Sequence, residues 1–131
     1  MTKVTIFLLV AALLICHLHI GDAKTCKLSD IQISAAKTGK LVEGQSEYKV
    51  TIDNRCSCPQ AGVKLRCLNF PSVEPVDGSK IRRVGSQLCL VANGGPITPG
   101  SPVTFTYAWK TPQEFTVVSA NPRCTRAFQE N

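Results

Sequence analysis

Six cysteines, Cys26, Cys56, Cys58, Cys67, Cys89 and Cys124, constrain this chain more than any other feature it carries. Their chemistry depends on the compartment, and the first residues speak to that. Met1-Thr2-Lys3 carries one cation, Val4 to Ile15 is almost unbroken apolar sequence, and Gly21 and Ala23 are small. A basic start, an apolar run of about 12 residues and a small-x-small exit make a cleavable secretory signal. A membrane span needs about 20 apolar residues, and His17 and His19 interrupt this run before that length. The expected organisation is a signal over 1–23 and a single mature domain over 24–131, exported from the cell. The seventh cysteine, Cys16, departs with the signal.

An even set of cysteines in an exported chain reads as three disulfides. A thiolate metal site around Cys56-Ser57-Cys58 is the competing reading. It suits reducing compartments, and no histidine remains after residue 23 to share it. A Cys56–Cys58 bridge would close a very small, strained ring. Beyond excluding that pair, the sequence leaves the connectivity open.

The same absence of histidine removes Ser-His-Asp and Cys-His nucleophilic systems. Two carboxylates could still act together. However, the acids Asp30, Glu43, Glu47, Asp53, Glu74, Asp77, Glu114 and Glu130 stand in polar or turn-like sequence. None is expected where burial would raise its pKa. The chain therefore reads as a binding protein rather than an enzyme, with no cofactor.

Formal net charge is +6, and it stays so without the signal because Lys3 and Asp22 cancel. Outside the cell such a charge suits an acidic protein surface, an anionic wall polysaccharide or a membrane surface better than nucleic acid. The densest basic segment is Lys80-Ile81-Arg82-Arg83, just after the turn signal Asp77-Gly78. Lys80, Arg82 and Arg83 are candidate partner-binding residues. A protease processing site and a solvated basic edge are the alternatives for the same segment.

Hydrophobic alternation runs at the strand period throughout. Ile31 and Ile33 alternate until Thr38-Gly39, where the pattern breaks. Tyr48, Val50 and Ile52 share one face, as do Val63, Leu65 and Cys67. Ile81–Val84, Leu88–Val91 and Phe115–Ser119 are further short strands, separated by Gly- and Pro-rich turns. The clearest strand is Val103–Trp109, with Val103, Phe105, Tyr107 and Trp109 opposite Thr104, Thr106 and Ala108. The alternating threonines make this aromatic row a core face. If exposed, Tyr107, Trp109 or Phe115 would instead form a sugar-stacking platform, the mark of a cell-wall carbohydrate-binding module. About seven short strands at this spacing predict an all-β, disulfide-stapled antiparallel sandwich. Residues 125–131 read as a loose tail.

Four phrases stand along this pattern: Cys26-Lys-Leu-Ser-Asp-Ile-Gln-Ile33, Cys89-Leu-Val91, Asn93-Gly-Gly-Pro-Ile97 and Val103-Thr-Phe-Thr-Tyr-Ala-Trp109. With the six-cysteine order, they resemble the tapetum determinant family of plant secreted proteins from Cys26 to Cys124. Cys56-Ser57-Cys58 and Leu68-Asn69-Phe70 depart from the pattern and mark a divergent branch. The resemblance implies a protein secreted to the apoplast. It also implies a ligand for a leucine-rich-repeat receptor kinase ectodomain, acting in cell-fate specification in the anther.

Overall fold

The computed structural model describes residues 25–124. The expected signal and the expected loose tail both lie outside these residues.

Seven strands form: β1 (Ile31–Val42), β2 (Gln45–Asn54), β3 (Gln60–Arg66), β4 (Ile81–Arg83), β5 (Leu88–Val91), β6 (Val103–Ala108) and β7 (Thr116–Pro122). They make two antiparallel sheets, one ordered β1-β2-β6 and the other β4-β5-β3-β7. The all-β sandwich expected from the alternation is the fold observed.

The alternating positions explain how the sheets meet. Tyr48, Val50 and Ile52 of β2 turn inward, and Val50 and Tyr48 stand directly across from Phe105 and Tyr107 of β6. From the other sheet come Val63, Leu65, Ile81, Cys89 and Val91, all buried. Burying each large aliphatic side chain contributes about 1.5–3 kcal/mol. Tyr48 stacks on Tyr107 with ring centres 5.2 Å apart. Phe70, from the loop after β3, inserts edge-on against Phe105, Tyr107 and Phe115. Its own φ of 26° and that of Asn69, 62°, lie in the left-handed region. That backbone is unfavourable for a bulky residue, and the ring's place among three aromatics offsets it.

Two details differ from the expectation. Thr38-Gly39 does not end the first strand. The chain continues to Val42 through a bulge between Lys37 and Leu41, with Gly39 at φ 91°. The bulge absorbs two extra residues of β1, four positions against two on β2, and pairing resumes beyond it. The hairpin closes later, at Glu43-Gly44, both with positive φ as a two-residue turn requires. Trp109 stands one residue beyond β6 and is only partly buried, packed on the rim of the core rather than within it. Its amide donates to the Ser46 carbonyl at 3.2 Å.

The disulfides are Cys26–Cys56, Cys58–Cys124 and Cys67–Cys89. β2 belongs to one sheet and β3 to the other, so the segment between them crosses the sandwich. Cys56 ties that crossing to the chain before β1, and Cys58 ties it to the end of β7. The neighbouring cysteines thus bind the two sheets to one joint. Asn54, 2% exposed, organises the joint from inside. Its Nδ2 donates to the Cys58 carbonyl at 2.9 Å and the Ile97 carbonyl at 2.8 Å. Its Oδ1 accepts from the Cys56 amide at 3.0 Å and from Gln60 Nε2 at 3.1 Å.

Candidate binding surface

Lys80, Arg82 and Arg83 are all exposed. β4 is the outermost strand of its sheet and pairs only with β5. Successive side chains of a strand point to opposite sides. Ile81 and Arg83 therefore take one side and Arg82 the other, and the edge leaves both arginines open to solvent. Arg82 Nε donates to Asn93 Oδ1 at 3.1 Å, and Arg83 Nη2 approaches the Ser86 carbonyl at 3.5 Å. Among the described residues the ion pairs are Lys40–Glu47 and Arg55–Asp53, so neither arginine is neutralised by a carboxylate. The sequence placed these cations on one segment; the fold divides them between two faces.

The aromatic residues do not assemble a stacking platform. Tyr107 is fully buried, and Phe115 stands edge-on to Phe70, Phe105 and Tyr107. Trp109 sits apart at the rim, with Lys110 Nζ 5.8 Å from its ring centre. A shallow groove of mixed polarity lies between β1 and the start of β7, lined by Leu28, Ser29, Ile31, Ile33, Phe115, Thr116 and Val117. Among the described residues, no helix is long and apolar enough to cross a membrane.

One pair of acids corrects the sequence reading. The expectation was that no carboxylate sits where burial would raise its pKa, yet Glu74 does. The loop after β3 folds over β6: the Val73 amide donates to the Ala108 carbonyl at 2.9 Å, and the Ala108 amide donates to Ser72 Oγ at 3.1 Å. This carries Glu74 against Glu47 of β2, itself 8% exposed. Burial, followed by the neighbouring Glu47, pushes Glu74 above the ordinary 4.5. The Thr38 hydroxyl, donating at 2.8 Å, holds Glu47 below its ordinary value, with help from Glu74 and Lys40. Glu74 Oε1 is enclosed and meets no donor. A proton on Glu74 would resolve this, since the acid hydroxyl could then donate to the neighbouring Glu47 carboxylate. No sequence pattern links residues 47 and 74, since the loop that joins them has no period.

Glu74, raised on folding, contributes stability that is present below 4.5 and is lost as pH climbs through its folded value. Glu47, lowered on folding, contributes stability that is lost as pH falls through its folded value. The fold should therefore melt highest in the acidic window between them. Glu74→Gln should abolish the decline on the alkaline side, because an amide donates without needing a proton. Thermal melts of both proteins across acidic and neutral buffers test this. A parallel decline in the two would discard the shared proton.

Comparison with known proteins agrees along the whole described domain. Residues 27–124 match the family described as Tapetum determinant 1, C-terminal. The chain is 34% identical over 96 residues to TPD1 protein homolog 1A of Oryza sativa subsp. japonica, covering 67% of this chain and 42% of that protein. It is 34% identical over 96 residues to TPD1 protein homolog 1 of Arabidopsis thaliana, covering 68% of this chain and 54% of that one. TPD1 protein homolog 1B of Oryza sativa subsp. japonica is 33% identical over 85 residues, with 64% and 50% covered. The chain thus spans about half the length of the curated relatives it matches. No solved structure matches.

Proposed function

The chain belongs to the tapetum determinant family, and we propose that it is a secreted signal that docks on the leucine-rich-repeat ectodomain of a plant receptor kinase. In this reading residues 1–23 are the cleaved signal and 24–131 the mature ligand, released to the apoplast. The biological setting is cell-fate specification of the anther and tapetum type.

The observation that carries the proposal is the family match, which spans residues 27–124 and so takes in every strand of the sandwich. The physical character of the domain suits the role. Receptor solenoids present extended concave surfaces, and a disulfide-stapled β domain has little conformational entropy to lose on docking. Its work is recognition, with Lys80, Arg82 and Arg83 on the contacting surface. Their charge is free to pair with carboxylates across an interface, where arginine is a frequent hot spot.

The test is direct. The oxidised domain over residues 24–131 is presented to a panel of purified leucine-rich-repeat receptor kinase ectodomains, and binding is followed by surface plasmon resonance. Saturable binding to an ectodomain is expected. The Arg82→Ala/Arg83→Ala variant should bind about 1–3 kcal/mol more weakly, with an unchanged melting curve. If the panel shows no saturable binding, the receptor-ligand reading is wrong. If the variant binds as well as the parent, these arginines leave the interface.

A further inference from the structure

The outer face of the four-stranded sheet has a chemistry that the basic segment at residues 80–83 only hints at. The strand registers place Arg82, Leu90 and Lys64 side by side in one row across β4, β5 and β3. In the next row Leu88 stands beside Arg66, and the Val84 amide bonds to the Leu88 carbonyl at 2.9 Å. Lys64, Arg66 and Arg82 are exposed, Leu88 and Leu90 half-buried, and Val84 41% exposed. Three cations therefore surround an aliphatic centre.

None of the four strands contains an aspartate or a glutamate. The other sheet differs: its β2 carries Glu47 and Asp53, each within ion-pair distance of a cation. A solvated face ordinarily mixes both signs. Here one sign surrounds branched aliphatic side chains, the arrangement of a protein interface with an apolar centre and charged surroundings.

We propose that this face, built on Lys64, Arg66, Arg82, Leu88, Leu90 and Val84, docks onto a folded protein whose surface sets carboxylates around an apolar centre. The proposal rests on the receptor-ligand reading above and names the surface that would serve it. Charge complementarity selects the acidic partner. The aliphatic centre selects protein over polysaccharide, because sugars stack on aromatic rings and these four strands carry none. A lipid surface is a poorer fit, because the leucines lie half-buried in the sheet and offer little to insert. Arg82 belongs to this face. Arg83, one position on, points to the other side of the edge strand and stands at the rim of this contact rather than on the face itself.

The experiment uses the oxidised domain, a Lys64→Glu/Arg66→Glu/Arg82→Glu variant, and a Lys37→Glu/Lys49→Glu control on the opposite sheet. All five positions are exposed, so the melts should match; Lys64→Glu alone is a milder second variant. Two probes are used, the receptor ectodomain that binds the parent and a glutamate–leucine copolypeptide. The triple reversal should weaken both about 100-fold, the product of about fivefold at each of three reversed contacts. Lys64→Glu should weaken them about fivefold, and the control should bind like the parent. An ectodomain that binds the triple variant as well as the parent overturns the face and leaves the receptor reading intact. If the copolypeptide depends on this face but no ectodomain binds, the receptor reading fails and the face stands. Equal loss in the control overturns the proposal. So does tighter binding of polygalacturonate or phosphatidylserine vesicles through the same three residues.

Discussion

Asn54→Leu is expected to lower stability by about 3–5 kcal/mol, a large part of the roughly 5–15 kcal/mol a domain possesses. The side chain is buried and uses its whole hydrogen-bonding capacity, two bonds given and two received. Leucine fills similar space but leaves the Cys56 amide and Gln60 Nε2 without that acceptor. The Cys58 and Ile97 carbonyls lose a donor as well. Each buried polar group stranded in this way costs about 1–3 kcal/mol. The losses should add incompletely, because Ile97 also pairs with the Gln60 backbone. Asn54→Asp is the sharper companion. It keeps the acceptor and replaces the two donors with an oxygen that faces two carbonyls. Protonation restores one donor, so this variant should recover part of its stability in acid while Asn54→Leu does not. Denaturant melts with disulfides intact, read as a midpoint shift at constant slope, test both. A loss below about 1 kcal/mol for Asn54→Leu would show that the joint does not depend on this side chain.

Replacing Cys58 and Cys124 together by alanine should cost about 4 kcal/mol, the largest loss among the three bridges. This bridge spans 66 residues, against 30 for Cys26–Cys56 and 22 for Cys67–Cys89. The entropy removed from the unfolded chain grows with the length enclosed, giving about 3 kcal/mol for the shortest. The effect should also be local. Cys124 holds the end of β7, whose pairing with β3 already carries two irregularities. Hydrogen exchange should therefore accelerate in β7 before it does in the ladder of β1, β2 and β6. Uniform acceleration across both sheets, or a smaller loss than for the Cys67–Cys89 double variant, would contradict this account.

The amino-acid order by itself determined the strands and their inward faces. Tyr48, Val50 and Ile52, and likewise Phe105 and Tyr107, alternate with polar neighbours, and alternation is a local property that survives in any β arrangement. It also carried the expectation that the six cysteines after residue 23 pair with one another, and that Cys56 and Cys58 do not bridge each other. The basic segment at residues 80–83 was legible as composition, but not its division between two sides. Trp109 continued the alternation of β6 on paper, yet the strand ended first and left it at the rim.

Tertiary structure decided everything that joins residues distant in the chain. It chose the cysteine partners, because Cys56 and Cys58 lie where the chain passes from one sheet to the other. It placed Phe70 among the aromatics and Glu74 against Glu47, because an aperiodic loop folds over β6. It set Lys64, Arg66 and Arg82 on one face, because register between β3, β4 and β5 aligns residues that no sequence spacing relates. Period shows which way a side chain points relative to its neighbours. Which residues stand beside it across the sheet depends on pairing, and pairing is settled only when the two sheets close on a common core.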